Sequence, residues 1–236
     1  MDACWQGSLF ADPHPDSPGG ALPGLGSAFR HELAGGAWVD VVPGWVADPD
    51  GLFDLLLARV PFRGHRRRMY DRVVDEPRLT HRWLLPEPEV PGRLTGMAVE
   101  LGAHYDVAFS QVGVNLYRDG ADGVAWHGDR VARERPEAVV ALVALGATRP
   151  LRLRPTGGGS SVSFPLASGD LLVMGGSCQR TWQHSVPKTR AACGPRISIQ
   201  FRHLYPGSPG DPAGGLSPPG GRPGARASPD GSPPPG

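Results

Sequence analysis

Residues 124–133, VAWHGDRVAR, set His127 and Asp129 one residue apart. An imidazole and a carboxylate at i and i+2 share one face of an extended chain, so both can turn toward a single ion. His184, in the later stretch TWQHSVP, offers a third ligand. Two histidines and one carboxylate form the facial triad that holds Fe(II) and leaves three coordination positions open. A plainer reading makes Asp129 a turn cap and His184 a satisfied core histidine. The stretch GPRISIQFR bears on the choice. On an alternating strand Ile197, Ile199 and Phe201 point one way, while Arg196, Ser198, Gln200 and Arg202 point the other. Guanidinium groups turned inward are costly unless they meet a carboxylate, and their fork matches a dicarboxylic acid. The outer face of a barrel strand would explain the same alternation.

Such groups need a frame. After residue 110 the chain breaks into short β-like runs separated by Gly and Pro: QVGVNLY, AVVALVALG, LRLRP, SVSFPL, DLLVMGG, TWQHSV and RISIQFR. Strands at this spacing predict a mostly β (α+β) fold of sandwich or barrel type. Upstream, AWVDVVPGWV reads as an edge strand and turn. Asp48 offers an N-cap with Pro49 at the first helical position, and Leu52, Phe53, Leu56 and Leu57 form a helical stripe. A second helix is expected over about 92–104, with Leu94, Met97, Ala98 and Leu101 on one face. Both helices would pack on one outer face of the β structure.

The ordered pattern NLYRDG, WHGD, a distant His and RISIQFR resembles the AlkB-type Fe(II)/2-oxoglutarate dioxygenases, whose elements are N-x-Y, H-x-D, H and R-x5-R. The resemblance runs over about residues 62–202, and MYDRVVDEPRLTHRW is similar to the family's stretch ahead of the barrel. It implies a double-stranded β-helix core, relative of the jelly roll. It further implies that His127, Asp129 and His184 ligate Fe(II), that Arg196 pairs with the far carboxylate of 2-oxoglutarate, and that Asn115, Tyr117, Ser198 and Arg202 complete that pocket, with O2 as the third reactant. The activity implied is oxidative demethylation of N-alkylated bases such as N1-methyladenine and N3-methylcytosine, in DNA and also RNA, releasing succinate, CO2 and formaldehyde. His127 would in addition line one face of the base. Position 131, a carboxylate in well-known DNA-repair members, is Val131 here. Two other readings are carried: the same chemistry on a protein, metabolite or tRNA, and a non-catalytic nucleic-acid-binding module.

Substrate contacts rest on the segment RGHRRRMYDRVVDEPR, where arginines including Arg78 are interleaved with Met69 and Tyr70 and followed by Trp83. Basic groups suit phosphates and aromatic rings suit an unpaired base, so about residues 60–90 read as a nucleotide-recognition lid. A solvated charged surface is the plainer alternative. Trp126 and Arg130, flanking the His-Asp pair, are grouped with these contacts.

Charge and composition narrow the rest. The formal net charge of the 236 residues is +1, so a polyanionic partner must be recognised by local clusters. Cys4, Cys178 and Cys193 fit neither a disulfide framework nor a zinc site and read as reduced thiols. The sequence has no run near the roughly 18 apolar residues that span a bilayer, and its start lacks a signal-peptide pattern. A monomeric, cytoplasmic protein without membrane attachment is expected. Residues 1–28 read as a loosely held lead-in, 29–205 as the dioxygenase domain, and the Pro/Gly/Ser-rich 206–236 as a disordered tail.

Overall fold

The computed structural model describes residues 24–69, 72–129 and 137–203. Two antiparallel sheets face each other, and two helices cover the outer face of the larger one. The expected tail, Tyr70, Arg130, Val131 and most of the expected lead-in lie outside the described residues. The folded body nevertheless begins before residue 29: Leu25 is buried in the core, anchoring a short 3-10 turn.

The larger sheet has eight strands. In chain order they are β1 (Phe29–Glu32), β2 (Ala37–Val42), β3 (Arg63–Met69), β4 (Arg72–Leu84), β5 (Gln111–Tyr117), β7 (Val140–Gly146), β10 (Leu171–Gly176) and β12 (Arg196–Arg202). Their spatial order is β1-β2-β10-β7-β12-β5-β4-β3. The smaller sheet, ordered β6-β11-β8-β9, consists of β6 (Val124–His127), β8 (Arg149–Pro155), β9 (Val162–Leu166) and β11 (Trp182–Val186). This two-sheet antiparallel arrangement agrees with the sandwich expected from the run of short strands and with the jelly-roll-like core that the family resemblance implies.

Strand β2 is not an edge. It is paired on both sides, with β1 and with β10. The sequence concealed this because β1 is a four-residue strand, FRHE, with every side chain exposed and no alternation to announce it. The arginine-rich segment also differs from expectation. Residues 79–84 of β4 pair with β5 and are integral to the large sheet, while 66–69 of β3 and 72–75 of β4 pair with each other beyond that pairing. Successive arginines carry no period-2 apolar signal, so the hairpin could not be read as strands.

Helix α1 (Pro49–Arg59) starts as its sequence dictates. The Asp48 carboxylate accepts from the Gly51 amide at 3.0 Å, and Pro49 needs no donor of its own. Leu52 and Leu56 are fully buried, but Leu57 is 44% exposed and faces away from the core. Helix α2 (Gly92–Tyr105) buries Leu94, Ala98 and Leu101. Both press on a layer formed by Val112, Val114, Val143, Leu145, Val173, Ile197, Ile199 and Phe201. The opposite faces of the same strands contribute Leu142, Ala144, Leu172 and Met174 to a second core, closed by Leu151, Leu153 and Phe164 of the small sheet. Strand alternation thus sends Ile197, Ile199 and Phe201 to the helices and the 196–198–200–202 set into the space between the sheets.

Candidate metal and co-substrate site

Strand β6 ends at His127 and pairs with β11 so that His127 stands opposite His184. Two residues of β6 oppose one of β11 between that pair and the next, a bulge that re-aims the strand end. The two imidazole centroids are 4.2 Å apart. Asp129 follows in coil, and donor atoms of His127, Asp129 and His184 all lie within 4.8 Å of one another. His127 Nδ1 lies 2.8 Å from the Ala125 carbonyl, which leaves the other ring nitrogen for a ligand role.

The electrostatics suit a cation. Burial opposes the charge on Asp129, yet Arg202 and the two histidines hold its carboxyl below the ordinary range. Burial pushes His127 down and takes His184 to about 3, so both rings are neutral at pH 7 and need lose no proton to bind metal. The Arg202 Nε lies 3.0 Å from Asp129 Oδ2 as an ion pair, and neither atom has a hydrogen-bond partner among the described residues. That carboxylate oxygen therefore retains acceptor capacity. Neutral imidazoles, an ionised carboxylate and an unsatisfied buried oxygen fit a divalent first-row metal.

Arg196 is fully buried, and none of its three guanidinium nitrogens has a hydrogen-bond partner among the described residues. Its Cζ stands 5.4 Å over the ring of Tyr117, itself buried and directly opposite on β5. Leaving a buried charge uncompensated costs about 3–5 kcal/mol, so this guanidinium requires an anion. Along the same face Ser198 is paired with the half-buried Asn115, and Gln200 with Gly113. The N-x-Y and R-x5-R residues thereby lie on two adjacent strands, β5 and β12, and β4 adds Thr80 opposite Asn115.

Two polar groups join the site that the motif reading left out. Gln200 donates from Nε2 to Ser198 Oγ at 2.7 Å and fixes that hydroxyl. Its parity with the arginines on β12 already placed it on their face, but the family motif gives it no role. Gln179, on the short helix α3 (Cys178–Thr181), accepts the Asp129 amide on Oε1 at 3.2 Å, while its Nε2 meets Met174 Sδ at 3.5 Å. Gly128 passes so close to the Gln179 carbonyl that a Cβ there would come within 2.9 Å. No sequence spacing announces that contact, because it joins segments 50 residues apart.

The expected substrate contacts divide. Arg78 lies on the site side of β4, near enough to His127 to lower its proton affinity, with Nη2 3.4 Å from Glu76. Trp83 does not belong to the site. It is 6% exposed, packed in the helix-side core and edge-on to His81 at 4.5 Å, because its parity on β4 points it away from the space between the sheets. Trp126 is also displaced: as the neighbour of His127 it faces outward, where the Arg154 guanidinium covers its ring at 4.3 Å. Met69 closes β3 opposite Arg72.

Comparison with known proteins bears on this geometry. Residues 65–202 match the model of the 2OG-Fe(II) oxygenase superfamily. An alpha-ketoglutarate-dependent dioxygenase alkB homolog 3 from Bos taurus is 31% identical over 202 residues, covering 75% of this chain and 68% of its own. A DNA oxidative demethylase ALKBH2 from Homo sapiens is 27% identical over 217 residues, covering 81% of this chain and 83% of its own. A solved oxidoreductase of the 2OG-Fe(II) oxygenase family from Burkholderia pseudomallei superposes with a TM-score of 0.50 at 17% identity, covering 70% of this chain and 84% of that one, a likeness of fold.

Proposed function

The chain belongs to the 2OG-Fe(II) oxygenase superfamily as an AlkB-type dioxygenase, and on that premise we propose that it removes N-alkyl groups from bases of damaged DNA. The observation that carries the reading is the buried, unpartnered Arg196 guanidinium on the strand that ends beside the His127–Asp129–His184 cluster. In this reading those three residues hold Fe(II). Bound there, the metal supplies the oxidation by O2 that turns 2-oxoglutarate into succinate and CO2 and releases the methyl carbon as formaldehyde.

The chain's own residues do the rest. Arg196 binds the far carboxylate of 2-oxoglutarate, replacing the water that a dianion loses on entering a closed pocket. Asn115, Tyr117 and Ser198 line the path from that carboxylate to the metal, and Arg202 holds Asp129 ionised and oriented. His127 presents its ring to the base, and Arg78 offers a charge at the same side. Buried Leu142, Ala144 and Leu153 exclude water from the interior.

Alkylated DNA is favoured as substrate by the arginines of the β3–β4 hairpin and by the human relative, a DNA oxidative demethylase. The free thiols Cys178 and Cys193 suit a reducing cytoplasm, and no helix among the described residues is long and apolar enough to cross a membrane. A monomer suffices, since every group invoked comes from one chain. The test is formaldehyde release from N1-methyladenine and N3-methylcytosine oligonucleotides with Fe(II), ascorbate and 2-oxoglutarate, with RNA versions in parallel. Absence of turnover on every methylated base, with iron bound, ends the proposal.

A further inference from the structure

The near-zero net charge hides a strong asymmetry. Between residues 138 and 203 the sole acidic residue is Asp170, against seven arginines and one lysine. Asp170 is buried and accepts the amides of Gly44 and Ala167. None of the four strands of the small sheet carries a carboxylate.

On β8, Leu151 and Leu153 turn inward, so Arg152 and Arg154 turn outward. Arg154 stands over the Trp126 ring at 4.3 Å, and its Nε and Nη2 reach Gln183 Oε1 at 3.3 and 3.2 Å. A neutral acceptor and an aromatic face fix the plane of this guanidinium without cancelling its charge. Arg152 is exposed two residues along the same face. Arg180 is exposed at the end of the sheet, where its carbonyl accepts from Thr156 Oγ1 at 3.3 Å. Among the described residues no ion pair reaches any of these three arginines.

Arg180 also joins this face to the site. It follows Gln179, whose side chain holds the Asp129 amide, so the rim beside the metal cluster turns directly onto the outer face. We propose that Arg152, Arg154 on Trp126, and Arg180 form a second nucleic-acid contact, which takes the phosphodiester backbone flanking the nucleotide being demethylated. The inference rests on the demethylase reading for its substrate, and on the uncompensated, preorganised charge for its location. Phosphate contacts of this kind add affinity and register without reading sequence.

The experiment compares the full chain with Arg152→Gln/Arg180→Gln, two exposed positions whose side chains make no ion pair among the described residues and are not among the three metal-ligating candidates. Binding to an unmethylated single-stranded 20-mer is measured across salt concentrations, with turnover of a methylated trinucleotide too short to leave the site. The expected result is roughly tenfold weaker 20-mer binding and a log–log salt slope shallower by about 1.4, from two lost contacts at about 0.7 each. Trinucleotide turnover should stay within about twofold. Unchanged 20-mer affinity and slope overturn the proposal, as does arginine-dependent binding to phosphatidylserine vesicles but not to the 20-mer. If the unaltered chain demethylates nothing yet binds the 20-mer through these arginines, the demethylase reading falls and the surface stands.

Discussion

Arg196 has no exposed surface and no hydrogen-bond partner among the described residues, and three unsatisfied donor nitrogens in a protein interior have to be matched by something. Arg196→Met should therefore leave metal binding intact while raising the 2-oxoglutarate concentration needed for half-maximal turnover about 10- to 150-fold, the worth of a charge-assisted hydrogen bond. Steady-state kinetics against 2-oxoglutarate checks this. Asp129→Ala should behave differently, abolishing turnover and weakening Mn(II) binding measured by electron paramagnetic resonance. Gln179→Leu removes the acceptor of the Asp129 amide without touching the three ligands. Its expected effect is metal affinity lowered about 10- to 100-fold with the fold retained, as for other groups that orient a ligand. Loss of metal affinity only in step with a fall in Tm would reduce Gln179 to a packing residue.

At the scale of elements, each strand pair brings one half of the site. The β6–β11 pairing sets His127 against His184, and the β5–β12 pairing sets Asn115 against Ser198 and Tyr117 against Arg196. The loop from β5 to β6 is fixed by Arg118, which grips Asp122 from Nε at 2.8 Å and Nη2 at 2.9 Å. The Arg118 hydrogen bonds hold the Asp122 carboxyl below its ordinary 3.8, so the pair's stabilisation is present above that value and is lost as pH falls through the depressed one. Asp122→Asn should lower Tm at pH 7, and the difference from the unaltered chain should shrink as pH falls below the ordinary 3.8 and through the depressed value. A difference that grows on acidification contradicts the assignment.

For the molecule as a whole, the space between the sheets stays in register because distant loops are tied together. The buried Arg149 donates to the carbonyls of Asp119 and Asp122 at 3.0 Å and of Pro187 at 2.6 Å, joining the β5–β6 and β11–β12 connections. Arg149→Leu strands these acceptors at about 1–3 kcal/mol each, an expected fall in Tm of roughly 10 °C by thermal denaturation. Metal binding should weaken with it, since both connections flank strands that carry ligands.

The triad, the two arginines, the N-x-Y pair and the helix starting at Asp48 were legible because each depends on local order: parity along a strand, a cap before a stripe, a motif in fixed sequence. The β3–β4 hairpin and β1 were not, because pairing with a neighbour made them strands where their own side chains gave no alternation. Trp83 and Trp126 show the same division. Aromatic chemistry could be read from the chain, but only strand register decided that one ring is sealed against the helices and the other faces outward under Arg154. The sequence by itself determined which groups can meet a metal and a diacid, since residue type and parity are local properties. Tertiary structure alone decided what surrounds them, including Gln179 at Asp129 and an acid-free face behind His127, because contacts between segments far apart in the chain are set by packing.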